Sequence, residues 1–139
     1  MITFEEITSK EMGMANLWIV VADAVEARTY ERHDDKAQLR PDRRLESLAL
    51  RVFEQGEELP PFWVRWFARD LSALLEYAAA CSEYDQLILA GPDQFLQILT
   101  NAMGPAAHKR LRRTFIEEVT KLNAADLEAR LSEIIRSAN

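Results

Sequence analysis

Leu17-Trp18-Ile19-Val20-Val21-Ala22-Asp23 decides the fold. The apolar residues follow one another without polar alternation, rich in β-branched and aromatic side chains, and the run stops at a carboxylate. A strand wetted on one face alternates apolar and polar residues, whereas a strand covered on both faces does not. The run therefore predicts the centre of a sheet with helices on both sides.

Working outward, Asp23 to Glu26 is too short a link for anything but an antiparallel return, so Ala27–Arg32 reads as the second strand of a hairpin. His33-Asp34-Asp35-Lys36 is a charged turn, and His33 reads as a solvated loop histidine because no second histidine or cysteine stands at metal-ligand spacing. Leu39 to Asp42 leads into a third strand, expected where Leu48, Leu50 and Val52 alternate with Ser47, Ala49 and Arg51. Gly56 and the pair Pro60-Pro61 mark a loop. Phe62 to Cys81 predicts the longest helix. Trp63, Trp66, Phe67, Leu71, Leu74, Leu75 and Ala78 share one face of it, the pattern of a core stripe, with Cys81 as a small buried residue at its end. The rival reading makes the two tryptophans a docking surface.

Gln86–Ala90 is another buried strand, ended by Gly91-Pro92. A helix precedes it, so it is reached by a crossover and can run parallel to an earlier strand. Pro92 suits a helix start; Phe95, Leu96, Leu99 and Met103 give that helix its apolar face, and Gly104-Pro105 stops it. Ala106–Arg113 is expected as a short basic helix and Thr114–Val119 as a fifth, edge strand. Asn123 is a good cap for the last helix, with Asp126 at its positive end, Leu127, Leu131, Ile134 and Ile135 inside, and Glu128, Glu133 and Arg136 outside. The expectation is a single α/β domain over residues 17–139, a mixed five-stranded sheet with helices packed on it, preceded by an acidic N-terminal extension over residues 1–16.

Composition bounds the function. The 139 residues are 48% hydrophobic and 29% charged, with a net charge of −6. That balance suits one globular domain and argues against a surface built entirely for nucleic acid, while leaving room for a local basic patch. Cys81 is the only cysteine, so no internal disulfide can form and a reducing compartment is the simplest reading. No apolar run reaches the roughly 20 residues of a membrane span. Glu5, Glu6 and Glu11 replace the basic start of a secretory signal, so the expected location is the cytoplasm, without a membrane partner. Phosphate-loop and dinucleotide fingerprints and the Gly-x-Ser-x-Gly elbow are all absent, and no cofactor is expected.

Two stretches carry a family resemblance. LWIVVADAVEARTYER (residues 17–32) resembles the first hairpin of the host attachment proteins, the "proteins required for attachment to host cells". FARDLSALLEYAAACSEYDQLILAGPDQFLQILTNAMGPAAHKRLRRTFIEEVTKLNAADLEARL (residues 67–131) resembles the same family's succession of helix, strand, Pro-initiated helix, basic segment and final helix. That family is similar in turn to the middle domain of the archaeal and eukaryotic class I release factors, which implies a ribonuclease H-like arrangement and bacterial relatives acting at the ribosome. The factors resembled here use a Gly-Gly-Gln tip for peptide release. This chain has none; its nearest fragment is Gln55-Gly56, without the backbone freedom of paired glycines.

The candidate site residues divide into two sets. Asp23, with Asp85 and Asp93, is the one start for a carboxylate cluster of the kind used in two-metal phosphodiester cleavage; the plainer reading gives Asp23 and Asp93 to turns and a helix start. Lys109, Arg110, Arg112 and Arg113 form one basic group, and Arg40, Arg43 and Arg44 another, either able to meet RNA phosphates. The plain alternative is a solvated face balanced by Glu46, Glu117 and Glu118. The expected function is a non-catalytic domain that binds RNA or a ribosome-associated partner. A metal-dependent hydrolase or nuclease using Asp23, and a protein-interaction module docking through aromatics, are the alternatives.

Overall fold

The computed structural model describes residues 16–34 and 38–138. β1 (Leu17–Ala22) lies at the middle of a five-stranded sheet of order β3-β2-β1-β4-β5. All six of its residues are buried, as the unbroken apolar run requires. β2 (Glu26–Arg32) returns antiparallel on one side, and β4 (Gln86–Gly91) lies parallel on the other after the crossover through the long helix. The sheet is therefore mixed, and the expected α/β architecture holds. The extension expected over residues 1–16 lies, apart from Asn16, outside the described residues, as do Asp35 and Lys36 of the charged turn.

Alternate residues of β1 feed two cores. Trp18, Val20 and Ala22 face α2 (Pro61–Ala80), α3 (Asp93–Ala102) and α4 (Pro105–Arg110). Leu17, Ile19 and Val21 face α5 (Ala124–Ala138) and Val119. Among the described residues, one sheet face thus carries three helices and the other a single one. Asn123 caps α5 as expected: its Oδ1 accepts the Asp126 amide at 2.9 Å.

Two boundaries differ from the sequence expectation. β3 is Arg40–Glu46, and the alternating stretch expected as the third strand forms instead a one-turn helix, α1 (Ala49–Val52). The Ser47 hydroxyl accepts the Ala49 amide at 3.1 Å and starts that turn, leaving Leu48, Leu50 and Val52 exposed. Alternation in so short a run fixed neither the period nor a buried face. β5 is Leu111–Ile116, three residues earlier than expected. The basic helix stops at Arg110 because the open edge of β4 supplies hydrogen-bond partners from Leu111 on, with Leu111 opposite Leu87. β5 is the edge strand, as expected.

Two side-chain expectations also fail. Cys81 is exposed at the C-cap of α2, beyond the last residue whose position faces the sheet. Phe67, Leu71, Leu75 and Ala78 are buried as the stripe predicted, but Trp66 is 45% exposed and Phe62 54%. The first turn of α2 packs its aromatics on one another and on Phe53: ring centroids lie 5.1 Å apart for Phe62 and Trp66, and 5.7 Å for Phe53 and Trp63. The docking alternative keeps its motivation.

Candidate functional site

Asp23 follows the C-terminal end of β1, where a parallel sheet commonly offers its ligand crevice. Its Oδ1 accepts the amides of Val25 and Glu26, both at 2.9 Å, which closes the turn into β2. Its Oδ2 accepts the Thr120 hydroxyl at 2.6 Å, tying the hairpin to the 3-10 turn Val119–Lys121. Both oxygens therefore have structural partners. Asp85 precedes β4 at the opposite end of the sheet and accepts the Asn16 amide at 2.9 Å. With about 3.3 Å of rise per residue, the strand keeps Asp85 roughly 20 Å from Asp93. Asp93 begins α3 and accepts from Gln97. Among the described residues no three His, Cys, Asp or Glu side chains converge as a metal would need. The hollow beside Asp23 measures about 210 Å³, lined by Pro92, Glu118, Thr120 and Lys121 among others, and falls below the size of ordinary small-molecule sites.

The two basic groups stand on opposite edges of the sheet, separated by four strand spacings or roughly 19 Å. Arg40, Arg43 and Arg44 all lie on β3, which is exposed at nearly every residue. Arg43 pairs with Glu83 at 3.1 Å and lies over the Trp18 ring; Arg44 pairs with Glu26 and Glu46 at 3.1 and 3.2 Å. In the second group Arg110 is spent on the fold, its guanidinium donating to the carbonyls of Tyr84 and Ala106, both at 3.1 Å. Arg113 donates to the Ser137 carbonyl at 2.7 Å, and Arg112 to Gln86 at 2.9 Å. Lys109 is exposed. The structure thus puts Arg40, Arg43 and Arg44 on one edge strand, Arg44 in register with Arg28 on one sheet face and Arg40 and Arg43 with Glu31 and Thr29 on the other, and divides the second group between scaffold and surface.

A second concavity, larger than the hollow beside Asp23, was not among the sequence candidates. It runs between β2–β3 and α5, with a volume of about 860 Å³. α5 is held toward the β5 edge by the Arg130–Glu117 pair, which draws the Glu117 carboxyl below its usual range, and by Arg113 reaching Ser137. The groove opens between its other flank and β2–β3. Arg28, Tyr30 and Arg32 line the sheet side, and Leu127, Leu131 and Arg136 the helix side. Burial works against the Arg28 cation, but Glu26 and the Tyr30 hydroxyl more than offset it, so its pKa stands above the ordinary value. The signal was present in the i, i+2, i+4 spacing of Arg28, Tyr30 and Arg32 on one strand face. It could not be weighted without knowing where α5 lies.

The model of the family described as "Protein required for attachment to host cells" matches residues 64–131. This stretch carries the host-attachment pattern. It runs from the first turns of α2 into α5; the β1–β2 hairpin lies outside the matched residues. No curated protein matches the chain. Among solved structures, an archaeal translation termination factor is 16% identical with a TM-score of 0.53, covering 88% of this chain and 39% of that one. Pelota from Archaeoglobus fulgidus is 12% identical with a TM-score of 0.54, covering 95% of this chain and 37% of that one. A third, described only as an archaeal protein, is 17% identical with a TM-score of 0.53, covering 94% of this chain and 41% of that one. The chain spans about two fifths of the length of each. At these identities the likeness is one of fold, and the release-factor-like architecture expected from the sequence holds.

Proposed function

We propose that the chain is a non-catalytic domain that binds RNA at the ribosome, in the cytoplasm, through the arginines of β3. The observation that carries this reading is an exposed edge strand with Arg40, Arg43 and Arg44 within five residues. Their carboxylate partners are no obstacle. Arg44 is 58% exposed and Arg43 40%, and ion pairs of that kind are worth only about 0–1 kcal/mol, so phosphates can replace them. Lys109 and Arg112 add a second, weaker contact at the other edge. The engagement of both Asp23 oxygens by backbone and Thr120 favours a non-catalytic reading, and so does the lack of Gly-Gly-Gln in a chain whose fold resembles a translation termination factor.

Fluorescence anisotropy with a labelled single-stranded RNA, titrated over a range of salt, tests the reading. Each neutralised phosphate contributes about −0.7 to the slope of log K against log salt, so replacing Arg40, Arg43 and Arg44 together by Glu is expected to flatten that slope by about 2. Asp23→Asn is expected to leave affinity unchanged. Equal affinity and slope for the wild type and the triple variant would refute the β3 contact.

A further inference from the structure

We propose that two copies of this chain associate face to face through the start of α2. Five of the eight large hydrophobics exposed among the described residues, Leu48, Leu50, Val52, Phe62 and Trp66, fall within one short stretch. Phe53 joins α1 to α2: its ring lies 5.7 Å from that of Trp63, which in turn lies 5.8 Å from Trp66. Exposed apolar surface gathered in this way marks an interaction site, unlike the scattered single residues of an ordinary surface. Phe62 and Trp66, one turn apart, share the outer face of α2 with Arg65 and Arg69. Aromatic residues and arginine are the types enriched where proteins meet.

The charges decide what covers the patch. Glu54, Glu57 and Glu58 precede the aromatics along the chain, and Arg65 and Arg69 follow them; all five are exposed. None of them makes an ion pair among the described residues. Glu57 closes the loop between α1 and α2, its Oε2 accepting the Glu54 amide at 2.7 Å. Arg51 at the first end and Asp70 at the second temper these charges without reversing either: three carboxylates stand against one guanidinium, then two guanidiniums against one carboxylate. The patch is thus acidic at one end, basic at the other and apolar between. A uniformly basic peptide, an RNA strand or an anionic lipid surface would meet like charge at one end. A second copy turned end for end meets opposite charge at both. A twofold axis between Phe62 and Trp66 sets Phe62 of each copy against Trp66 of the other, and carries Arg69 of each past the other's helix start toward Glu57 and Glu58. Such a contact uses the same patch on both copies and closes as a dimer. It does not depend on RNA.

Sedimentation equilibrium of the full chain, from micromolar to near-millimolar concentration, tests the proposal. The wild type is expected to fit a reversible monomer–dimer equilibrium. Trp66→Glu, at a position 45% exposed, is expected to leave only monomer. Glu54→Lys with Glu58→Lys, and separately Arg65→Glu with Arg69→Glu, are each expected to weaken the dimer at least about tenfold. Mixed together, these two variants are expected to pair with each other more tightly than either pairs with itself, because each then carries the charge that the other has lost. All four changed charges are exposed, so both variants are expected to melt like the wild type. A wild type that stays monomeric at every concentration, leaving the patch to a different partner, would overturn the proposal. So would a dimer that Trp66→Glu leaves intact, or charge variants with no preference for each other.

Discussion

Tyr84 is fully buried, stacks on Trp18 with ring centroids 4.8 Å apart, and donates its hydroxyl to the Leu75 carbonyl at 2.8 Å. Burial pushes its pKa up to about 12, with Arg110 pulling the other way and Glu76 adding to the rise. In the unfolded chain the phenol titrates near its ordinary value of about 10. Its contribution to stability is therefore complete below pH 10 and is lost as pH rises toward 12, where the unfolded chain gives up the proton first. Tyr84→Phe is expected to cost about 1 kcal/mol at neutral pH through the lost hydrogen bond. That gap closes by roughly 1.4 kcal/mol per pH unit above 10. Urea denaturation of both proteins at pH 7, 10 and 11 checks this, and a gap independent of pH would contradict it. Single residues were unevenly legible. Asp23 serving a turn follows from its chemistry, because a short carboxylate after a strand meets the next amides. Its bond to Thr120, far along the chain, had no local signal. Cys81 was misread because the buried residues of the helix end at Ala79 and Cys81, its C-cap, stands beyond the packed face.

At the scale of elements, the long runs were readable and the short ones were not. β1 and β4 are buried through continuous apolar sequence, and α3 and α5 bury the faces their spacing predicts. The stretch after β3 failed because six alternating residues also fit one helical turn, and the Ser47 hydroxyl decided for the turn. β5 began early because an unsatisfied β4 edge outweighs the helix preference of a basic segment. The β1–β4 pairing carries a requirement of its own. A Cβ at Gly91 would lie 2.3 Å from the Ala22 carbonyl oxygen, a backbone atom that cannot swing aside. Gly91→Ala therefore forces the central parallel strands apart where the chain leaves them. The expected loss is about 2–3 kcal/mol, the upper part of the usual range for overpacking. It reads as a lower urea midpoint with an unchanged slope. A loss below about 0.5 kcal/mol, the scale of an ordinary surface change, would contradict so close an approach.

For the whole molecule, the mixed sheet and its helices follow from the order of buried runs, and the fold likeness to a translation termination factor and Pelota agrees with that order. The groove follows from something no window of sequence contains: one helix drawn to one edge by Arg130, Glu117 and Arg113. The net charge of −6 belongs to the whole chain, while positive charge gathers on β3, so the RNA contact proposed there is expected to be local and strongly dependent on salt. The most direct test is sedimentation of a cell lysate through a sucrose gradient, following this protein at low and at high salt. Migration with ribosomal particles at low salt, release at high salt, and loss of that migration when Arg40, Arg43 and Arg44 are changed to Glu is the predicted result. A protein that stays at the top of the gradient at every salt concentration, or a triple variant that migrates like the wild type, would contradict the account.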